Sequence, residues 1–557
     1  MLPDTPTEPD TPIGPDTTNR RQFLHRAAAA LGATTSAALF GSLAGCSGQL
    51  RRSYTASTTT APAQTTTTTE PLDPAAWSAL ALSLSGSLVL PTGASYATAK
   101  LLYNLQFAAT DPAAVAYCAS ASDVQRCISF ARHHGITATP RAGGHSYGGY
   151  STGPGLLIDV SRMNTVAADA GAMRCTIGAG TQLVDVYDQL SQTGLLLPAG
   201  SCPSVGIAGL TLGGGIGVVG RKYGLTCDNL LSLDTVTADG RLLTANASQN
   251  ADLYWASRGG GGGNFGVVTS FTFAVHRIPE LTLFTINWPW PAAADVLGAW
   301  QAWTASAPDE LWSNCQLQSA GSDGLNVRSN GVFVGSAATL TGLLRPFLAQ
   351  AGTPSSQFVG SDPYLHTMLV EAGCENLTVS QCHLTGSGAA TPAGAGAGTL
   401  PRSSFAATSA YVISALSTAG VATCVQAVET LHTGVPELGG GIVFDAHGGA
   451  INTVAPGATA FVHRSALCAM QTSTSWGPGD PPATVDAAKG WLQKSAASLA
   501  PFVSRSAYQN YIDPTLVDWA DAYYGSNLPR LVQVKRRYDP DDVFHFAQSI
   551  PTTLPRS

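Results

Sequence analysis

The sequence predicts an α+β fold of two or three units around a cofactor cradle, and three observations carry that expectation. First, 44% of the 557 residues are hydrophobic and only 11% are charged, which suits a globular chain with a large core. Second, segments of helical period and segments of strand character both occur along it. Third, two glycine-rich stretches, Arg141-Ala-Gly-Gly-His-Ser-Tyr-Gly-Gly149 and Ala199-Gly-Ser-Cys-Pro-Ser-Val-Gly-Ile-Ala-Gly-Leu-Thr-Leu-Gly-Gly-Gly-Ile-Gly217, each set one reactive side chain, His145 or Cys202, among glycines. Such glycines let backbone N–H groups approach a bulky anionic group. Neither stretch is a strand-borne G-x-G-x-x-G or a G-x-x-x-x-G-K-[ST], so the standard phosphate motifs do not apply. Alone, each also reads as a loop beside a core histidine or a buried cysteine. A net charge of -7 with no basic run gives no footprint for nucleic acid.

In chain order, residues 1–19 are rich in Pro, Thr and Asp without apolar periodicity and read as unstructured. Asn19-Arg-Arg-Gln-Phe-Leu24, followed by the uncharged run Ala27 to Gly45, has the form of a twin-arginine export signal. Gly and Thr dilute that run against a membrane span, and it ends in Leu43-Ala-Gly-Cys46, which resembles a bacterial lipobox whose cysteine becomes a lipidated first residue. Residues 46–72, with Thr58 to Thr60 and Thr65 to Thr69, read as a flexible tether. The folded part then starts near Asp73 and holds about 485 residues, enough for two or three units at roughly 150 each. Ser122 and Gln125 predict a capping box for a helix with Val124, Cys127, Ile128 and Ala131 on one face, stopped by Gly135. Ile136 to Pro140 and Leu156 to Val160 read as strands, the first delivering Arg141 to His145 into a loop. Thr181 to Gln192 is a second amphipathic helix closed by Gly194, and Leu230 to Ala245 is a hairpin turned at Asp239-Gly240 by positive φ angles. Arg258-Gly-Gly-Gly-Gly-Gly-Asn-Phe-Gly266 runs into a strand at Val267 to Val275. From about Pro279 a longer mixed region carries Trp288, Trp290, Trp300, Trp303 and Trp312, read as core residues because they bury large apolar areas. Ala389 to Thr399 is an Ala-Gly-rich loop of low complexity.

Gly143-Gly-His-Ser146, taken with Cys202-Pro-Ser-Val-Gly206 and Gly213-Gly-Gly-Ile-Gly217, resembles the berberine-bridge-enzyme-like branch of the FAD-linked oxidases, which share the vanillyl-alcohol-oxidase or PCMH-type fold. Ile442-Val-Phe-Asp-Ala-His-Gly-Gly-Ala450 and Ala460-Phe-Val-His-Arg464 resemble family strands that face the flavin from the substrate side, with His447 where close relatives have a tyrosine. Tyr508-Gln-Asn-Tyr-Ile-Asp513, Tyr523-Tyr-Gly-Ser-Asn527 and Val534-Lys-Arg-Arg-Tyr-Asp-Pro-Asp-Asp-Val-Phe544 resemble the family's closing module. The resemblance covers residues 100–551 and is weakest over 280–435. It implies a two-part PCMH-type FAD-binding domain at 73–278, an α/β substrate domain with an antiparallel sheet at 279–500, and a C-terminal berberine-bridge module at 501–557 that returns to the FAD domain. A signal at 1–45 and the linker at 46–72 precede them.

The resemblance further implies FAD bonded covalently through both His145 and Cys202. Further cofactor contacts are expected at Arg141, Ala142, Gly143, Gly144, Ser146, Tyr147, Val205, Gly206, Gly209, Gly213, Gly214, Gly217, Gly266, Val267, Val268 and Asn510. Alcohol oxidation needs a base for the hydroxyl proton and an acceptor for hydride, and no side chain accepts hydride. By the resemblance the base is Tyr511, with Tyr508, Asp445, His447 or Gln471 as helpers. A tyrosine of pKa about 10 needs cationic or hydrogen-bonding neighbours to serve at neutral pH. Two tethers suit an open groove for an oligosaccharide or glycosylated metabolite, and Val205 stands where a small residue leaves dioxygen access to flavin, favouring oxidase over dehydrogenase. A tailoring enzyme that closes a ring by the same hydride transfer, and a carbohydrate-binding lipoprotein with an inactive flavin fold, are the competing readings. The chain is expected outside the cytoplasm, exported by the twin-arginine route and anchored by lipid at Cys46.

Of 11 cysteines, setting aside Cys46 and Cys202 leaves an odd number, so at least one thiol is free in a monomer. Cys118 with Cys127 and Cys374 with Cys382 are the favoured disulfides, each closing a short loop. No Cys-x-x-Cys or His-Glu-x-x-His spacing supports a metal site.

Overall fold

A computed structural model describes residues 72–386 and 398–554. The export signal, Cys46, nearly all of the linker and most of the Ala-Gly-rich loop lie outside the described residues.

The helix Ala121–His134 forms where Val124, Cys127, Ile128 and Ala131 recur on one face, and all four are buried. Gly135 ends it at φ 63°, as expected of a left-handed cap. Its start differs from the expectation. Ser120, not Ser122, is the cap: Ser120 Oγ accepts from Asp123 N at 3.2 Å. The Asp123 carboxylate in turn accepts from Ser85, Gly86 and Ala119 N–H groups at 2.9–3.0 Å. A short carboxylate there satisfies several orphan donors that Gln125 could not. This helix is the crossover of a four-stranded sheet ordered Ser87–Val89, Ala114–Tyr117, Leu156–Asp159, Ala138–Arg141, whose last three strands are parallel. The strand expected from Ile136 begins at Ala138.

A five-stranded antiparallel sheet follows, ordered Val166–Asp169, Arg174–Gly178, Val267–Ala274, Leu230–Val236, Leu242–Asn246. Its hairpin turns on Gly240 alone, at φ 83°; Asp239 has no positive φ and instead accepts from Arg241 N at 3.2 Å. The second predicted helix runs Leu183–Ser191, and Gly194 follows at φ 70°.

The third sheet is antiparallel with seven strands, ordered Ser356–Ser361, Leu281–Trp288, Leu325–Val334, Leu311–Ala320, Gly439–Ala446, Cys468–Trp476, Ser404–Val412. Helices Ala293–Ser306, Thr418–Gly434 and Pro482–Leu499 pack on it. The tryptophans do build this core. Trp300 is fully buried and donates Nε1 to Ser313 Oγ at 3.0 Å, and Trp303 stacks on Phe347 at 4.8 Å. Trp288 and Trp312 are buried as well, while Trp290 is half-buried.

The C-terminal helix Leu528–Tyr538 returns to the first half of the chain through a buried lysine. Lys535 Nζ donates to Asp539 Oδ2 at 2.7 Å, Phe544 O at 2.7 Å and Asn264 O at 3.1 Å. Ile550 N also donates to Asn264 Oδ1 at 2.8 Å, so the glycine run before Val267 is held by the end of the chain.

Cys374 and Cys382 form the expected disulfide. The expected Cys118–Cys127 bond is corrected: both are buried thiols with sulfurs 3.8 Å apart, packed as small hydrophobes between the helix and the first sheet.

Candidate active site

Strand Ala138–Arg141 ends at Arg141, whose Nε donates to Asp159 Oδ2 at 2.5 Å and whose Nη2 donates to Ala99 O at 2.7 Å. This buried pair fixes the start of the first glycine loop. The second loop lies directly against it. A Cβ on Gly143 would come within 2.2 Å of Gly206 N, and one on Gly206 within 2.4 Å of Gly143 N. Only glycine permits that approach. Between the loops, His145 Nε2 and Ser204 Oγ are 2.9 Å apart, and the imidazole stacks on Tyr103 at 4.2 Å with planes 15° apart. Burial, with the Arg402 charge, pushes the His145 pKa down to about 3, so the ring is neutral at ordinary pH.

The loops open on a cavity of about 1440 Å³, its mouth included. Of the residues expected to contact a cofactor, Arg141, Ala142, Gly143, Gly144, His145, Ser146, Tyr147, Cys202, Val205, Gly206, Gly209, Gly266, Val267, Val268 and Asn510 all line it. Tyr508 and Tyr511 join them from the C-terminal segment. Gly213, Gly214 and Gly217 do not line the cavity. They are close-packing positions: a Cβ would meet Asn510 Oδ1 at 1.9 Å from Gly213, Phe461 at 2.9 Å from Gly214 and Ala199 O at 1.9 Å from Gly217. Sequence reasoning missed Ser201, Gly262, Gly263, Gln509 and Phe546 on the wall. Gly262 and Gly263 were within reach, because they belong to the run that enters the Val267 strand; Phe546 comes from a distant segment with no motif of its own.

Of the expected catalytic residues, Tyr508 and Tyr511 line this cavity. Tyr508 Oη accepts from Gly215 N, Ile216 N and Asn510 Nδ2 at 2.9–3.3 Å, which makes it a brace for the glycine turn. Tyr511 is stacked on Tyr147 at 5.3 Å and meets Tyr508 edge-on at 4.9 Å. Burial, then the charges of Asp445, Tyr147, Tyr508 and Tyr411, push its pKa well above the ordinary tyrosine value. These neighbours oppose a phenolate rather than supplying the support the sequence reading called for.

Asp445, His447 and Gln471 lie outside the cavity wall, Asp445 and Gln471 on the seven-stranded sheet and His447 just past the end of the strand Gly439–Ala446. Alternate residues of a strand share a face, and the register lays out two polar rows. One runs Asn330, Asn314, Asp445, Ala469, Tyr411; the next runs Arg328, Gln316, Val443, Gln471, Ser409. Gln316 Nε2 donates to Asn314 Oδ1 and Asn330 Oδ1, Arg328 Nη2 donates to Gln316 Oε1, and Asn330 Nδ2 donates to the Glu371 carboxylate. Gln471 Nε2 donates to Tyr147 Oη at 3.1 Å, joining the sheet to the first glycine loop. Both Asp445 oxygens, both His447 nitrogens, Gln471 Oε1 and Tyr411 Oη are buried without a hydrogen-bond partner among the described residues. Burial, then Glu371, raises the Asp445 pKa to about 7, and burial, then His463, Arg464 and Arg221, lowers that of His447 to about 3.

Two family models match the chain: an FAD binding domain over residues 112–246 and the berberine and berberine-like module over residues 507–551. The FAD-linked oxidoreductase YgaK of Bacillus subtilis is 34% identical over 474 residues, covering 84% of this chain and 97% of the relative. The chain belongs to the berberine bridge enzyme-like family of FAD-linked oxidoreductases. Glucooligosaccharide oxidase of Sarocladium strictum is 31% identical over 460 residues, 78% of this chain and 86% of that enzyme. Among solved structures, BBE-like 1 of Physcomitrella patens superposes with a TM-score of 0.77 at 31% identity, over 86% of this chain and all of the other.

As a member of this family the chain is an enzyme that uses FAD, and the cavity fits that group. Three buried polar atoms on its wall, Arg141 Nη1, Ser201 Oγ and Gln509 Oε1, have no partner among the described residues. Gly209 meets nothing within 4 Å where a Cβ would stand, so the floor is open to a large flat ligand. Orphaned donors and acceptors along a glycine-lined slot match a dinucleotide with phosphates and a polar ring edge.

Proposed function

We propose that this enzyme is an oxidase whose FAD is bonded to both His145 and Cys202, and that it oxidises an alcohol or hemiacetal carbon of a sugar, an oligosaccharide or a glycosylated metabolite. The observation that carries the reading is that Tyr511 shares one cavity wall with His145 and Cys202 while the polar rows of the sheet stand behind it. Bound there, FAD supplies the hydride acceptor that side chains cannot, with dioxygen as the final acceptor giving hydrogen peroxide. The oligosaccharide oxidase among the relatives supports a sugar substrate, and Val205 on the wall supports access for dioxygen.

Tyr511 Oη is the group that receives the hydroxyl proton. Its surroundings make a standing phenolate costly, so it accepts that proton as it gives up its own. Asp445, the first of the charges that bear on Tyr511, has no direct hydrogen bond to it and would take the proton through a bridging water. The Gln471 bond to Tyr147, which stacks on Tyr511, holds the phenol rings in place. Replacing Tyr511 by Phe keeps the stacking and removes the oxygen. Anaerobic flavin reduction by a sugar found in a peroxide screen should slow by about 10²-fold or more, with reoxidation by dioxygen unchanged. Reduction at the parent rate would remove Tyr511 from the mechanism; fast reduction without peroxide would make the enzyme a dehydrogenase.

The same reading places the enzyme outside the cytoplasm, exported by the twin-arginine route and anchored through Cys46. The mass of the mature amino terminus tests this: a lipidated Cys46 is expected, and an unmodified start elsewhere would end the anchor proposal.

A further inference from the structure

The contact that the function has not absorbed is the one between His145 and Ser204. Ser204 sits two residues after Cys202, is 2% exposed, and places its Oγ 2.9 Å from His145 Nε2. Tyr103 covers one face of the imidazole at 4.2 Å, so the ring cannot easily turn over to exchange its two nitrogens. We propose that Ser204 selects the nitrogen of His145 that bonds to flavin, by accepting a hydrogen bond from Nε2–H and so leaving the lone pair on Nδ1. The inference rests on the covalent reading above.

The chemistry follows from the tautomer. A neutral imidazole has one N–H and one lone pair, and only the lone pair is a nucleophile. Burial and the Arg402 charge keep the ring neutral at ordinary pH, so no proton need be removed before attack. With the proton on Nε2, the new bond joins Nδ1 to the 8α carbon of the isoalloxazine. One C–H of the 8α methyl breaks, and the ring then sheds the Nε2 proton that Ser204 holds. The isoalloxazine takes up the two electrons and the two protons, and dioxygen removes them as hydrogen peroxide. Ser204 touches neither the flavin carbon nor the substrate in this scheme; it is a positioning residue.

The test isolates the His145 bond by working with Cys202→Ala, in which any flavin retained after acid precipitation is held by His145. Peptide mass and NMR of the flavinyl-histidine from this protein should show linkage at Nδ1. Adding Ser204→Ala should leave FAD bound in the folded protein but lower the acid-stable fraction by at least about tenfold, since loss of the partner that fixes an imidazole tautomer has effects of that size or larger. Ser204→Thr, which keeps the hydroxyl, should restore it. Linkage at Nε2, or an acid-stable fraction unchanged by Ser204→Ala, would overturn the proposal, and the linkage result stands even if that variant does not fold. If Cys202→Ala itself releases all its flavin into acid, the His145 bond of the underlying reading fails and the proposal fails with it.

Discussion

The two walls of the site are built in opposite ways. The cofactor wall is local: residues 141–151, 200–212 and 262–268 supply most of it, and backbone approach between Gly143 and Gly206 sets its shape. The wall proposed for the substrate is assembled from strands far apart in sequence, where register alone brings Asn314, Asn330 and Asp445 into one row. On the first wall, shape is fixed by what is missing, namely side chains. On the second, buried polar atoms without a partner among the described residues stand on strands of the sheet. A single substitution should therefore destroy the first wall and only retune the second.

Gly143→Ala is the largest break expected. Its Cβ would stand 2.2 Å from Gly206 N, a backbone atom that cannot yield cheaply. Forcing the loops apart should cost about 1–3 kcal/mol or more and abolish FAD binding, read from the flavin absorbance of the purified protein. A Gly143→Ala variant that is fully yellow would mean that the loops are not zipped as described.

Asp445→Asn sharpens the other side. The carboxylate, not the acid, can accept a proton from Tyr511, and burial with Glu371 raises its pKa to about 7. Flavin reduction should therefore rise with pH through about 7 in the parent. The Asn variant should lose that limb and run about tenfold slower or worse at neutral pH. A limb that persists would assign it to another group.

The same substitution predicts a smaller effect of opposite sign on stability. Asp445 has a folded pKa above its ordinary 3.8, so folding favours the protonated form. The penalty is absent below the ordinary value, grows as pH rises, and is complete above the folded pKa of about 7. Asp445→Asn escapes it, so its Tm should exceed the parent's by an amount that grows between pH 4 and 7, on the order of a few degrees. A difference independent of pH would mean that Asp445 does not titrate in that window. The fold thus disfavours the ionised form that the proposed mechanism uses.

The contrast between the walls also explains what could be read from the sequence. His145, Cys202 and their glycines are legible because a backbone cradle needs particular residues at adjacent positions, and the C-terminal motif places Tyr511 beside them. Gly213, Gly214 and Gly217 belong to the same motif but serve packing, and sequence offers no way to tell a glycine that faces a ligand from one that faces Asn510 or Ala199. The polar rows were reached only at Asp445 and Gln471, with His447 just past the end of the Asp445 strand. Asn314, Gln316, Asn330 and Glu371 carry no local pattern, because cross-strand register is set by the whole sheet. Likewise, Cys118 and Cys127 have a spacing that suits a disulfide, yet the loop just past strand Ala114–Tyr117 and the helix that carry them hold their sulfurs 3.8 Å apart as thiols.

The central claim, that the cofactor wall holds FAD by covalent bonds from His145 and Cys202, is tested most directly by the intact mass of the protein after unfolding in acid. The account predicts a polypeptide that carries the mass of one FAD, keeps it in either His145→Ala or Cys202→Ala, and loses it only when both are replaced. A bare polypeptide mass for the unmutated protein, with all the yellow colour in the supernatant, would contradict it.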